Sequence, residues 1–232
     1  MKYLLVFVLL CGSVNVHAQQ IGSLPAFTKW YQNPLGVYPL NLHTSHAIIL
    51  PTLLAATTLL ITKKDSALHS RLSYFADAGY YKGYFADKTN VWHQNVGITY
   101  NLRKWLAVGV EVTTYYFHDV HNNTPGIGVR PFFRFYPVNK STFKCYFETG
   151  AGLLYTFREF PQPSGFWGDT RMGTHINGTP KYGIGIEVKA AKKIMLTAGV
   201  RHIHLSNGNV LGTERNPAHD SNGGYIGVSY CK

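Results

Sequence analysis

From Leu72 onward the side chains alternate with period two, and this pattern restricts the fold more than any other feature of the chain. In an extended strand successive side chains point to opposite faces. Leu106, Val108, Val110 and Val112 share one face, with Ala107, Gly109, Glu111 and Thr113 on the other. Ile127, Val129, Pro131, Phe133 and Phe135 oppose Gly128, Arg130, Phe132 and Arg134. Tyr182, Ile184, Ile186 and Val188 oppose Gly183, Gly185 and Glu187, and Leu196, Ala198 and Val200 oppose Thr197, Gly199 and Arg201. Eight segments read this way, at about 72–84, 92–100, 105–117, 126–136, 143–158, 174–188, 194–205 and 223–230. The second face decides what they build. A sandwich in water would turn plentiful Lys and Glu outward, and soluble domains are roughly a quarter charged. Here charged residues are 14%, matched by 14% aromatics, with 23 Gly and 16 Tyr. A sparse, glycine-rich polar face opposite an apolar one is the pattern of a transmembrane barrel, apolar outside and polar inside. Closure also removes the sheet edges that hydrocarbon does not tolerate. The expected fold is therefore all-β: an eight-stranded antiparallel transmembrane β-barrel over 72–232, with an N-terminal extension.

The connections and the N-terminus agree with an outer-membrane location. Short links at 101–104, 137–142 and 189–193 alternate with longer ones at 85–91, 118–125, 159–173 and 206–222. Short periplasmic turns and longer outer loops alternate in bacterial barrels. Residues 1–18 read as a secretory signal: Lys2, an apolar run from Tyr3 to Leu10, and Val16-His17-Ala18 before a cut at Gln19. A lipoprotein cut at Cys11 is disfavoured, because Leu10 is large. The extension, 19–71, is Pro-rich at first (Pro25, Pro34, Pro39) and contains an apolar stretch at 47–61. That stretch is shorter than the ~20 residues of a spanning helix. A membrane-associated or plugging helix, a buried helix and a strand pair all remain open for it. Cys145 and Cys231 have opposite parity on non-adjacent strands, so no disulfide is expected. The formal charge of +11 suits an anionic partner. No run of Lys and Arg exceeds two, so nothing points to nucleic acid.

Candidate chemistry gathers at the end of the seventh segment, Arg201-His202-Ile203-His204-Leu205-Ser206-Asn207-Gly208. His204 and Ser206 share a face, about 6.6 Å apart along the strand, a spacing at which an imidazole can activate a hydroxyl. Their parity is that of Leu196, Ala198 and Val200, which places them on the lipid side. Asp220 has the parity of Ile226, Val228 and Tyr230 at the start of the next strand. A His, a Ser and an Asp are thus expected together on the outside of the barrel, where polar residues are costly and need a reason.

His204-Leu205-Ser206-Asn207-Gly208, Asn216-Pro217 and the closing Gly227-Val228-Ser229-Tyr230 resemble the PagL-type lipid A 3-O-deacylases, as does Phe147-Glu148-Thr149-Gly150-Ala151-Gly152-Leu153-Leu154-Tyr155. The resemblance covers roughly 92–230. It implies an outer-membrane esterase that removes the 3-O-linked acyl chain of lipid A, the membrane anchor of lipopolysaccharide, and needs no cofactor. It also implies roles: Ser206 as nucleophile, His204 as general base, and Asn207 with the Gly208 amide at the oxyanion. The orienting acid is Glu in the best-known members. Asp220 stands where it falls, one methylene shorter, with Ala218 in place of a common Gly, and Glu214 is the alternative acid.

Competing readings of the same residues are a non-catalytic structural or adhesion barrel and a soluble periplasmic lipid-binding barrel. His202 also has outward parity and is expected as an interface residue. A zinc site from His202, His204 and His219 lacks a clear fourth ligand, so no metal is expected. Glu111, Glu148 and Glu187 are expected to form an interior network with Arg130, Arg134 and Arg201. Trp92, Trp105, Tyr115, Tyr116 and Trp167 read as an interface belt. Arg201 and Arg215 are candidates for contact with lipid A phosphates, although Arg201 has inward parity. Association of two copies is left open.

Overall fold

The computed structural model describes residues 50–62, 72–83, 89–119, 123–161 and 170–232. The signal segment 1–18, most of the extension and Trp167 lie outside them. The apolar stretch forms a helix, α1 (Leu50–Ile61). Arg103, at the end of the second strand, donates to the carbonyl of Leu59 in the helix's last turn and to that of Thr62 just past it. No helix among the described residues is long and apolar enough to cross a membrane. The strands do that.

The barrel strands are β1 (Leu72–Gly83), β2 (Asn90–Arg103), β3 (Leu106–His118), β4 (Asn123–Asn139), β5 (Phe143–Gly150), β6 (Leu153–Phe160), β7 (Thr174–Gly178), β8 (Lys181–Lys189), β9 (Ile194–Leu205) and β10 (His219–Cys231). All pairings are antiparallel, and the β1–β10 and β3–β4 pairings close the ring. Two expected strands are each broken in the middle. The segment read as 143–158 becomes β5 and β6, and that read as 174–188 becomes β7 and β8. The breaks face each other. Pro180 has no N–H to give to a ladder, and the Thr179 N–H goes to Gly152 O at 2.9 Å. A Cβ on Gly152 would lie 2.0 Å from Val129 O, so that crossing requires glycine. Counted as staves around the ring, β5 with β6 and β7 with β8 are one each, and the barrel has eight.

Burial alternates along the strands as the sequence pattern requires. Val96, Ile98, Val110, Val112, Ile127, Val129, Ile184, Ile186, Leu196 and Ile226 are exposed on the outside. Tyr74, Tyr100 and Tyr230 mark one end of this band, and Tyr80, Trp92 and Tyr116 the other. Tyr74 and Tyr80 are six residues apart, about 20 Å along the strand. Tyr115 departs from expectation: its odd parity turns it inward, buried beside Arg130 rather than in the belt. Leu106 is buried as well, next to the β2–β3 turn where the register slips between Asn101 and Arg103. The connection read as long at 118–125 is short, because β4 already begins at Asn123 and pairs with His118.

The interior is filled, not open. Four carboxylates (Asp77, Glu111, Glu148, Glu187) meet four buried cations (Arg130, Arg134, Lys181, Arg201). Arg201 grips Asp77 at 2.7 and 2.9 Å and also donates to Glu148. Arg134 bridges Glu148 and Glu187 at 3.1 and 3.3 Å. Lys181 holds both oxygens of Glu111 at 2.9 Å, and Arg130 reaches Glu111 at 2.9 Å. Equal numbers of opposite charges let the network be buried without a net charge. Asp77 and Lys181 join a network that sequence reasoning had limited to the Glu and Arg residues. Above it, at the end of the barrel away from Leu72 and Cys231, lies an apolar cluster of Tyr81, Val91, Tyr115, Phe117, Leu154, Phe160, Ile203 and Leu205. Ile203 and Leu205 anchor the inner face of β9 where its outer face carries the candidate site.

Candidate active site on the outer wall

β9 and β10 pair with His204 directly opposite Asp220 and His202 directly opposite Asn222. Opposite residues of an antiparallel pair have neighbouring side chains on one face, and the four converge. His204 Nδ1 lies 2.8 Å from Asp220 Oδ1. The bond to Asp220 leaves His204 Nε2 for another partner. The His204 side chain is 27% exposed and that of Asp220 17%, so the pair is open to the outer surface but sheltered. Glu214, the alternative acid, is elsewhere. It sits exposed in a 3-10 turn (Thr213–Arg215), its carboxylate folded over Gly212. His219 points inward against Phe117 and Phe160, so the three histidines do not converge as a zinc site would need.

Ser206 lies just past β9, held by a two-way backbone bridge to Gly178 at 2.7 and 3.1 Å. Its hydroxyl donates to Asn216 Oδ1 at 3.1 Å and accepts from the Gly208 N–H at 3.0 Å. Among the hydrogen bonds of the described residues none joins it to His204. Asn216 Oδ1 also accepts from Asn207 N at 3.1 Å, and its amide donates to Asn209 Oδ1 at 2.8 Å. The Asn207 side chain is engaged as well: its amide gives hydrogen bonds to Arg215 O at 2.7 Å and Thr174 Oγ1 at 3.4 Å, and its oxygen accepts from Asn209 N. Asn207 thus ties the loop together, and the amide group near Ser206 is the Gly208 N–H. The turn is made by left-handed backbone at Gly208 (φ 66°) and Asn209 (φ 62°), residue types that tolerate it.

Sequence reasoning missed two parts of this arrangement. Asn216 was noticed as part of a motif but given no contact. His202, expected at the membrane interface, is buried: its ring stacks on Tyr182 and its nitrogens meet Asn222 and Asp220. Its direct register with Asn222 and Tyr182 was the available signal, but it needed strand ends known to one residue. Of the proposed phosphate contacts, Arg201 is committed to the interior, and Arg215 pairs with Glu159 at 2.6 Å at the rim. A depression of about 290 Å3 over Ala76, Ala78, Gln94, Val96 and Ile226 lies farther down the wall and includes none of the site residues.

A model of the lipid A 3-O-deacylase family, PagL, matches residues 78–229. The chain belongs to that family. Two solved structures are similar to this PagL-family barrel. The crystal structure of the outer membrane enzyme PagL is 16% identical and covers 66% of this chain and 97% of that one, with a TM-score of 0.51. That of Neisserial surface protein A (NspA) is 13% identical, covers 68% of this chain and 96% of that one, and has a TM-score of 0.52. At such identities the likeness is one of fold. No curated protein matches the chain. Family and barrel together place it in the bacterial outer membrane.

Proposed function

We propose that this chain hydrolyses the ester holding the acyl chain at position 3 of lipid A, with Ser206 as nucleophile, His204 as base and Asp220 as the orienting acid. The observation that carries the reading is the 2.8 Å His204–Asp220 hydrogen bond on the lipid-facing wall, next to Ser206, in a member of the PagL family. Its height supports the substrate. Gly224 is level with Tyr80 of the aromatic ring, and Asp220 lies four residues farther along β10, about 13 Å beyond it. The site therefore lies at the headgroup end of the outer wall, and a substrate that already sits in the membrane reaches it without a deep pocket.

In this mechanism the Ser206 side chain turns about its Cα–Cβ bond from Asn216 toward His204. Oγ attacks the ester carbonyl carbon while His204 Nε2 takes its proton. Asp220 holds Nδ1–H, which fixes the tautomer and stabilises the imidazolium. The Gly208 N–H, 3.0 Å from Oγ in the resting site, is placed to donate to the oxyanion; one such donor contributes about 3 kcal/mol. Collapse releases the sugar hydroxyl, which takes the proton from His204. Water then attacks the acyl-serine by the same route in reverse, freeing the fatty acid and restoring Ser206.

Mass spectrometry of lipid A from cells producing the wild type or Ser206→Ala tests this. The wild type is expected to remove one 3-linked acyl chain, and Ser206→Ala to remove none while still assembling as a heat-modifiable barrel. Unchanged lipid A with a folded wild type would leave a non-catalytic barrel. Activity that survives Ser206→Ala would refute the nucleophile.

A further inference from the structure

We propose that His202 is a positioning residue that fixes Asp220 for His204, an inference that rests on the hydrolase reading above. Asp220 Oδ1 meets two imidazoles at once: His204 Nδ1 at 2.8 Å and His202 Nε2 at 3.1 Å. The mechanism uses only the first. The second ring is held on its other sides too. Its Nδ1 lies 2.8 Å from Asn222 Oδ1, and it stacks on Tyr182 with centroids 4.7 Å apart and planes at 26°. Register produces this arrangement, since His202 stands opposite Asn222 on β10 and opposite Tyr182 on β8. The ring therefore cannot tilt or turn without losing one of three contacts. It is also closed off: its side chain is 4% exposed against 27% for His204. His202 does not touch a substrate on the outer wall and acts through Asp220.

Both nitrogens of His202 face oxygens, and a neutral imidazole has one N–H. A proton on Nδ1 alone would set the Nε2 lone pair against the Asp220 carboxylate at 3.1 Å with no hydrogen between them. The Asn222 amide, turned end for end, donates to Nδ1 instead, and Nε2–H then donates to Asp220. An aspartate left with one donor can swing about its side-chain torsions, and each swing takes the acceptor away from His204. A second donor on the same oxygen removes that freedom. It matters more for an aspartate, whose arm is a methylene shorter than glutamate's and has less slack to find His204 again.

Steady-state deacylation of purified lipid A by the full barrel in detergent micelles tests the inference. His202→Phe keeps the stack on Tyr182 and removes the donor. His202→Gln returns an N–H close to the place of Nε2. A hydrogen bond to a charged group is worth about 10- to 100-fold when it is used in full, so His202→Phe is expected to lower kcat by up to that factor with KM within about twofold, the mark of an interaction used in the transition state. His202→Gln is expected to recover most of the loss. Asn222→Leu, which strips the ring's other anchor and leaves the Asp220–His204 bond in place, is expected to lower kcat in the same direction and serves if the Phe variant does not fold. Wild-type kcat in the folded His202→Phe or Asn222→Leu protein overturns the inference, as do equal losses in the Phe and Gln variants. A wild type without activity, or activity that survives Ser206→Ala, overturns the hydrolase reading itself and this inference with it.

Discussion

Replacing Arg201 with methionine measures what the interior network contributes. The guanidinium is fully buried, gives Asp77 two hydrogen bonds and Glu148 a third, and lies 3.5 Å from the centre of the Tyr225 ring. Methionine keeps much of the stem and removes the charge. The two carboxylates do not suffer equally. Glu148 keeps Arg134 at 3.1 Å and Lys181 at 3.6 Å, so its charge stays matched. Asp77 keeps the neutral amide of Asn95 at 2.8 Å. One carboxylate is therefore stranded inside the barrel. Breaking a buried pair by removing one partner costs about 3–5 kcal/mol, and the surviving Asn95 bond puts the expected loss near ~3 kcal/mol. Urea unfolding in phospholipid vesicles, followed by tryptophan fluorescence and heat-modified gel mobility, reads it. The double variant Arg201→Met with Asp77→Leu takes out both charges and leaves three carboxylates facing three cations. It is expected within about 1 kcal/mol of the wild type. A single variant within ~1 kcal/mol of the wild type, or a double variant as unstable as the single, would refute the matched-charge account of the interior.

Two further predictions concern the site and its turn. Asp220→Asn is expected to lower kcat by about 100-fold or more, because the amide cannot stabilise the imidazolium, while Glu214→Gln keeps wild-type rates; equal effects in the deacylation assay would return Glu214 to candidacy. Ala218 has φ 57° immediately before β10, a conformation costing a residue with a Cβ about 1–2 kcal/mol. Ala218→Gly is therefore expected to be neutral or slightly stabilising in urea unfolding with full activity, and Ala218→Val, β-branched, to lose at least ~1 kcal/mol.

The barrel was legible because its signal is repeated along the whole chain: each strand restates which face is apolar, and one misread segment leaves the ring intact. The breaks at Gly150-Ala151-Gly152 and Thr179-Pro180 were not legible for the converse reason. A glycine pair inside an alternating run fits a continuous strand as well as a crossing, and the crossing is decided by Val129 O on another strand. The same division runs through the site. Parity alone placed His204, Ser206 and Asp220 on the outer face, since parity survives an error of two residues in a strand's end. Contacts within that face do not survive such an error. Whether Asp220 stands opposite His204 or His202 depends on a register set by the turn, and the turn's length was not readable from Ser206 to Asn222. A left-handed φ at Ala218 marks the end of that turn. That residue turns the chain from the Asn216 loop into β10 two positions before Asp220, which the ladder sets opposite His204. With this register His204 stands opposite Asp220 and His202 opposite Asn222, and one aspartate oxygen still meets both rings, an arrangement that parity alone does not distinguish from its neighbours.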